Sequence, residues 1–296
     1  MRRSFLILTA LAAGLGSQAH AGLHIIVTTA DLGALTRELA PQASIEVLCP
    51  AARDPHELEA KPSSMVKVSR ADLVVSTGLE LEVGWLPSII RGARNPKVLT
   101  GAPGYFEAGR VIEPLEVAHG ATRAEGDVHP DGNPHFMLDP IRAAKVGEAL
   151  AERLGQLDPD HAKDYADRAA VVTARLTAKT AQWKAELAKL PNKKLYTYHK
   201  TLVYFLDRFG LRSEGELEPK PGIPPTASHL VELVQRAKEK GVKLILVESF
   251  YDRAGADKVA GEVPGVVVKV VDAQPHAPDA KVEDATAALV DAVEGK

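Results

Sequence analysis

Apolar positions along the chain follow two alternating periods. Short β-branched runs bounded by turn residues occur at His24 to Thr28, Ile45 to Leu48 and Leu73 to Ser76, and Val98-Leu99 ends a fourth. Between the first two, Asp31 to Leu39 has the wider spacing of an amphipathic helix. Strands separated by helices predict right-handed crossovers and a mostly parallel sheet. Asp139-Pro140 opens a further helix, with Asp as the cap and Pro at the first helical position, where a missing N–H does no harm.

The middle of the chain differs. From Pro159 to Leu190 there is no glycine and no internal proline, and Ala, Lys, Asp, Arg, Leu and Thr dominate. At ~1.5 Å per residue this predicts one helix roughly 40 Å long or more. Pro191-Asn192 ends it, and a second series follows: strands at Lys194 to Tyr198, Arg212 to Leu217, Lys243 to Val247 and Val266 to Val271. Helices alternate with them at Thr201 to Arg208, Ser228 to Lys240 and Arg253 to Glu262, with a last one from Val282. The pattern predicts an α/β protein of two lobes with mostly parallel sheets, joined by a single long rigid helix. The expected boundaries are a signal peptide over 1–21, a first lobe over 22–157, the connecting helix over 158–190 and a second lobe over 191–296. One large sheet fits the periodicity equally well. Ala118 to Asn133 is polar and glycine-containing, carries neither period, and is expected to be a surface loop.

The N-terminus bears on the compartment. A basic start at Arg2-Arg3, a short apolar run from Phe5 to Leu15 and the small-x-small step Ala19-His20-Ala21 form a secretory signal, with cleavage expected after Ala21. The signal region has no lipobox cysteine, since Cys49 is the single cysteine, so a soluble periplasmic protein is expected. One cysteine also excludes an internal disulfide framework. A net charge of −3 leaves no basic footprint for nucleic acid. Aromatic residues make up only 5%, which argues against a sugar or nucleobase site built on stacked rings.

Candidate chemistry lies just past the strands, where open α/β sheets form their ligand crevices. His56 stands in Asp54-Pro55-His56-Glu57 beyond the second strand, His135 in Asn133-Pro134-His135 ahead of the Asp139 helix, and His199 at the end of Lys194 to Tyr198. Two come from the first lobe and one from the second, so a cleft between lobes can gather them. Neutral imidazoles make good zinc ligands, and a tetrahedral site needs a fourth donor at ~2.0–2.2 Å. An oxygen of the second lobe is expected there: Asp272 after the last strand, with Glu248 after Lys243 to Val247 as the alternative and His276 third. Asp54 and Asp139 read as caps, and His161 and His229 as structural residues at helix starts. His119 and His129 in the polar loop are candidate accessory ligands. There is no phosphate-cradling GxxxxGK[ST] run.

At these residues the chain resembles the metal-binding solute receptors of ABC importers for zinc and manganese, the cluster A-I family. Arg53-Asp54-Pro55-His56-Glu57 with Lys61-Pro62-Ser63-Ser64, Arg70-Ala71-Asp72-Leu73-Val74-Val75 running to Gly78-Leu79-Glu80-Leu81-Glu82, Asn133-Pro134-His135-Phe136-Met137-Leu138-Asp139-Pro140, and Tyr198-His199 carry it. The resemblance spans the chain beyond the signal segment. It implies two lobes bridged by a rigid helix, one metal in the cleft, His56, His135 and His199 as ligands, and Asp272 at the position of the second-lobe carboxylate. Manganese-selective members tend to carry a carboxylate where His199 stands, so a third imidazole favours zinc over the manganese alternative. The implied partner is the membrane permease of a metal ABC importer, with a periplasmic metallochaperone as a further partner and no nucleic acid, the receptor being a monomer. The loop with His119 and His129 would be a lid or capture arm. Catalysis is not expected. The rival enzymatic reading is a zinc metallohydrolase with Glu57 as general base, which a closed four-ligand shell disfavours because it leaves no position for substrate.

Overall fold

The computed structural model describes residues 22–118, 120 and 126–296; the expected signal peptide and His119 lie outside them. Eight strands form two four-stranded parallel sheets, so the single-sheet alternative is excluded. The first holds β1 (His24–Val27), β2 (Ser44–Val47), β3 (Leu73–Ser76) and β4 (Tyr105–Glu107) in the order β2-β1-β3-β4. The second holds β5 (Lys194–Thr197), β6 (Arg212–Glu216), β7 (Leu244–Glu248) and β8 (Val267–Val271) in the order β6-β5-β7-β8. In both lobes the order reverses beside the first strand, which opens a crevice at the strands' carboxyl ends. Ile25, Ile26, Val27, Leu73, Val74 and Val75 are fully buried because helices cover both faces of the sheet, as unbroken apolar runs require.

Helices α1 (Ala30–Leu39), α2 (Pro62–Val68), α3 (Leu86–Ala93) and α4 (Pro140–Leu157) belong to the first lobe. Asp139 caps α4, accepting the Ile141 N–H at 2.9 Å, with Pro140 at the first helical position, as the sequence predicts. Two expectations need correction. Val98-Leu99 ends no strand: Asn95 caps a single 3-10 turn over Pro96–Val98, Pro96 brings no N–H for a ladder, and β4 forms later against β3. The connecting helix is also shorter than 158–190, since a 3-10 turn occupies Pro159–His161 and α5 proper runs Ala162–Leu187.

Spanning ~39 Å at 1.5 Å per residue, α5 links the lobes through one buried stripe. Tyr165, Ala169, Val172 and Leu176 enter the core of the first lobe, while Trp183 and Leu187 enter that of the second. The remaining helices are α6 (Val203–Phe209), α7 (Ala227–Lys240), α8 (Ala254–Glu262) and α9 (Asp284–Glu294). The lobes also exchange side chains: Tyr204 of α6 packs in the first core and Leu138 in the second.

Midway along α5, Arg175 clamps both lobes. Its Nη2 donates to both oxygens of Glu38 on α1, at 2.9 and 2.7 Å, and its Nε donates to Glu283 Oε1 at 2.8 Å ahead of α9. Burial alone would raise the Glu283 pKa, but the hydrogen bonds and charge of Arg175 outweigh it and hold it below the usual range. Arg175→Met would leave Glu38 to Lys281, at 3.2 Å, and Glu283 to Lys179, at 3.4 Å. It is expected to lower stability by roughly 1–3 kcal/mol, below the value for a fully buried pair because Arg175 is partly solvated and both carboxylates keep a lysine, as measured by urea unfolding.

Candidate metal centre

Each histidine is fixed by its own turn. After β2, Asp54 caps a 3-10 turn over Pro55–Glu57, and its Oδ1 accepts both the His56 backbone N–H at 2.8 Å and the His56 Nδ1–H at 2.7 Å. The Trp85 indole N–H, just ahead of α3, donates to the Pro55 carbonyl at 2.9 Å and holds the turn from behind. His135 caps the turn Phe136–Leu138 that leads into α4, and its backbone N–H is held by Asn133 Oδ1 at 3.0 Å. His199 follows β5 directly and caps the turn Lys200–Leu202.

These three rings meet between the lobes. One ligand atom from each of His56, His135 and His199 lies within 4.8 Å of the others, and among the described residues this is the one such group that could hold a metal. Ring centroids are 5.2 Å apart for His56 and His135, 5.3 Å for His56 and His199, and 5.5 Å for His135 and His199. Carboxylates set the tautomers. Asp54 takes the Nδ1–H of His56, and Glu218 takes that of His199 at 2.7 Å, so each ring turns the lone pair of Nε2 outward. Nε2 of His135 is buried with no hydrogen-bond partner, as expected of an atom that awaits a cation.

The surrounding electrostatics favour a neutral, ligating His135. Burial holds its pKa well below 6.5, and neighbouring His56, His199 and His129 push it the same way. Burial would raise the pKa of Asp54, yet the hydrogen bonds from His56 and the Tyr251 hydroxyl outweigh it and hold the carboxyl at about 2. Tyr251, from the second lobe, donates to Asp54 Oδ2 at 2.8 Å and stacks on Tyr198 with centroids 4.2 Å apart. The interlobe cavity beside His56 and His135 has a volume of about 20 Å³. That is room for about one water-sized sphere. Glu57, the base of the metallohydrolase reading, is exposed.

Asp272 does not join the histidines. It follows the last residue of β8, and the alternation of the pleat turns it outward: Val271 and Ala273 are buried, while Asp272 is half-exposed and paired with His276 at 3.1 Å. Gln274, in the cleft wall, instead uses its Oε1 to accept the Ala30 N–H at 2.9 Å from the other lobe. Glu248, the alternative, is fully buried, and burial pushes its pKa up to about 8, against an opposing pull from Thr201. It feels the charges of Glu218 and Asp54 yet stands outside the histidine group. His161 pairs with Asp158 and His229 lies in the first turn of α7, both structural as expected. Sequence reasoning missed Glu218 and Tyr251, because neither stands near a histidine that its spacing would flag. His129, expected only as an accessory, is buried, with its Nε2 3.1 Å from Nε2 of His56.

A family model described as "Zinc-uptake complex component A periplasmic" matches residues 25–289. The chain is 25% identical over 253 residues to the zinc-binding lipoprotein AdcA of Streptococcus pneumoniae serotype 4, covering 83% of this chain and 49% of that protein. It therefore spans about half the length of that relative. It is 24% identical over 246 residues to the high-affinity zinc uptake system protein ZnuA of Bacillus subtilis, covering 81% and 75% respectively. A crystal structure of ZnuA superposes with a TM-score of 0.78 at 24% identity, over 92% of this chain and 99% of that one. The solute-binding protein FpvC of Pseudomonas aeruginosa in complex with Mn2+ superposes at 0.77 and 24% identity, over 93% and 99%. At these identities the superpositions speak for the fold.

A depressed histidine pKa has a defined sign in stability. The unfolded chain takes up a proton at position 135 near pH 6.5 while the folded chain does not, so stability is lost as pH falls below that value. The metal-free protein is expected to lose about 1 kcal/mol through this group between pH 7 and pH 5.5. Urea unfolding across that range would register it, and His135→Leu should flatten the dependence by one proton.

Proposed function

Because the chain belongs to the family of the periplasmic zinc-uptake complex component A, we propose that it captures zinc between its lobes and delivers it to the membrane permease of an ABC importer. His56, His135 and His199 are the ligands in this reading. The observation that carries it is their convergence from separate turns of two lobes, with one ligand atom each within 4.8 Å of the others. An all-nitrogen set suits zinc, whereas manganese prefers oxygen-rich shells. The receptor acts in the periplasm as a monomer after cleavage behind Ala21, and a periplasmic metallochaperone is a second donor or acceptor of the ion.

Capture and release follow from the donors. Imidazole must be unprotonated to bind, so affinity falls as pH drops through the histidine range. The α5 spine and the Arg175 clamp resist wide hinge motion, so release at the permease proceeds by local disturbance of the ligand shell. Asp54 and Glu218 hold two imidazoles in the ligating tautomer.

Metal analysis and competitive titration of the purified mature chain test the reading. One zinc per chain, bound in preference to manganese, is the expected result. His199→Ala should weaken zinc binding by on the order of 100-fold or more with the fold intact by circular dichroism. Unchanged zinc affinity in that variant would overturn the assignment.

A further inference from the structure

We propose that His129 is the fourth ligand of the zinc site, so that the shell consists of four imidazoles and the polar loop supplies the donor expected from Asp272. The proposal rests on the three-histidine reading and extends it.

Distance is the first argument. Nε2 of His129 stands 3.1 Å from Nε2 of His56, with the rings tilted by 40° and their centroids 5.2 Å apart. Two nitrogens that share a tetrahedral zinc at ~2.0–2.1 Å lie ~3.3 Å from each other. The lone pair of His56 Nε2 is committed outward, because Nδ1 carries the proton that Asp54 accepts. His129 therefore meets His56 at the face where an ion would sit.

The second argument is that the loop is held in place independently of any metal. The Asp127 N–H donates to the Pro221 carbonyl at 2.9 Å, and Pro221 belongs to the segment that begins at Glu218, the partner of His199. Gly222 in that segment donates its N–H to Glu218 Oε2 at 3.0 Å. At the other end, Asn133 Nδ2 donates to the Lys200 carbonyl at 2.9 Å, and the Tyr204 hydroxyl donates to the Asn133 carbonyl at 2.6 Å. His129 thus stands on a span of the first lobe pinned at both ends to the second. His129 and His199 line one cavity of about 160 Å³ beside Glu116, Asp127 and Lys200, which gives the ring room to settle onto the ion.

The third argument is that the expected oxygen donor is turned away. Asp272 is half-exposed and pairs with His276 at 3.1 Å.

Extended X-ray absorption fine structure on the zinc-loaded wild-type protein tests this directly. Four imidazoles are expected around zinc, and three imidazoles with an oxygen would overturn the proposal. In parallel, His129→Ala should weaken zinc binding roughly tenfold or more and alter the visible spectrum of the cobalt(II)-substituted protein, while Asp272→Asn should leave both unchanged. Identical affinity and cobalt spectrum in His129→Ala, or a loss on Asp272→Asn instead, would refute it. A wild-type chain that binds no zinc would refute the three-histidine reading on which this one stands, and His199→Ala separates the two cases by removing binding under either ligand set.

Discussion

Asp139 is a fully buried carboxylate that three demands meet upon. It caps α4, it receives Arg142 Nη1 at 2.5 Å from the same helix, and it accepts Arg208 of α6 through Nε and Nη2, both at 2.7 Å. The last contact crosses from one lobe to the other. Arg208 stands on the helix that follows His199, and Asp139 on the turn that follows His135. A fork-to-fork pairing of guanidinium and carboxylate fixes angle as well as distance, so these two histidines are aligned by a charge pair some residues removed from either. The Tyr204 hydroxyl adds to the clasp, accepting the Leu115 N–H at 2.9 Å while donating to the Asn133 carbonyl. Asn133 adds a local tie, its Oδ1 accepting the His135 N–H at 3.0 Å and its Nδ2 donating to the Lys200 carbonyl at 2.9 Å.

His56 is aligned by a different device. Asp54 serves as helix-turn cap, as orienting acceptor for the ring and as acceptor for Tyr251 of the second lobe. The same carboxylate that fixes the backbone of its turn also selects the tautomer of the ligand. Glu218 does the corresponding work for His199 while tying down Gly222. Each lobe therefore contributes one imidazole whose orientation is set by a carboxylate on Nδ1, while His135, whose Nε2 is buried without a hydrogen-bond partner, is kept neutral by burial.

Much of this was legible in the residues, for physical reasons. Seven of the eight strands can be read to within a residue or so: the central ones are buried on both faces and leave unbroken apolar runs, while the edge strand β6, Arg-Ser-Glu-Gly-Glu, is legible only from its place between helices. β4 escaped because Tyr105–Glu107 is short and follows glycines and prolines that mimic a loop. Histidines just past strand ends were visible because the carboxyl edge of a parallel sheet is where crevices form. Asp272 stands apart for the converse reason: being at a strand end fixes the neighbourhood of a residue, while the pleat decides which way its side chain points, and one position of shift reverses it. His129 and Glu218 lie in irregular segments without a period; Glu218 is placed by its N–H on the Tyr198 carbonyl at 3.2 Å, beyond the end of β6, and the segment of His129 by the cross-lobe bond of Asp127 to Pro221.

The pairing of Asp54 and Glu218 with opposite rings has an electrical consequence for what the cleft can hold. With unprotonated imidazoles, the two carboxylates place negative charge a short distance behind the ring nitrogens, and a cation between the rings would draw on it across a poorly solvated crevice. The electrostatic preference for a cation is thus carried by the supports of the rings, one ring further out than the cleft itself.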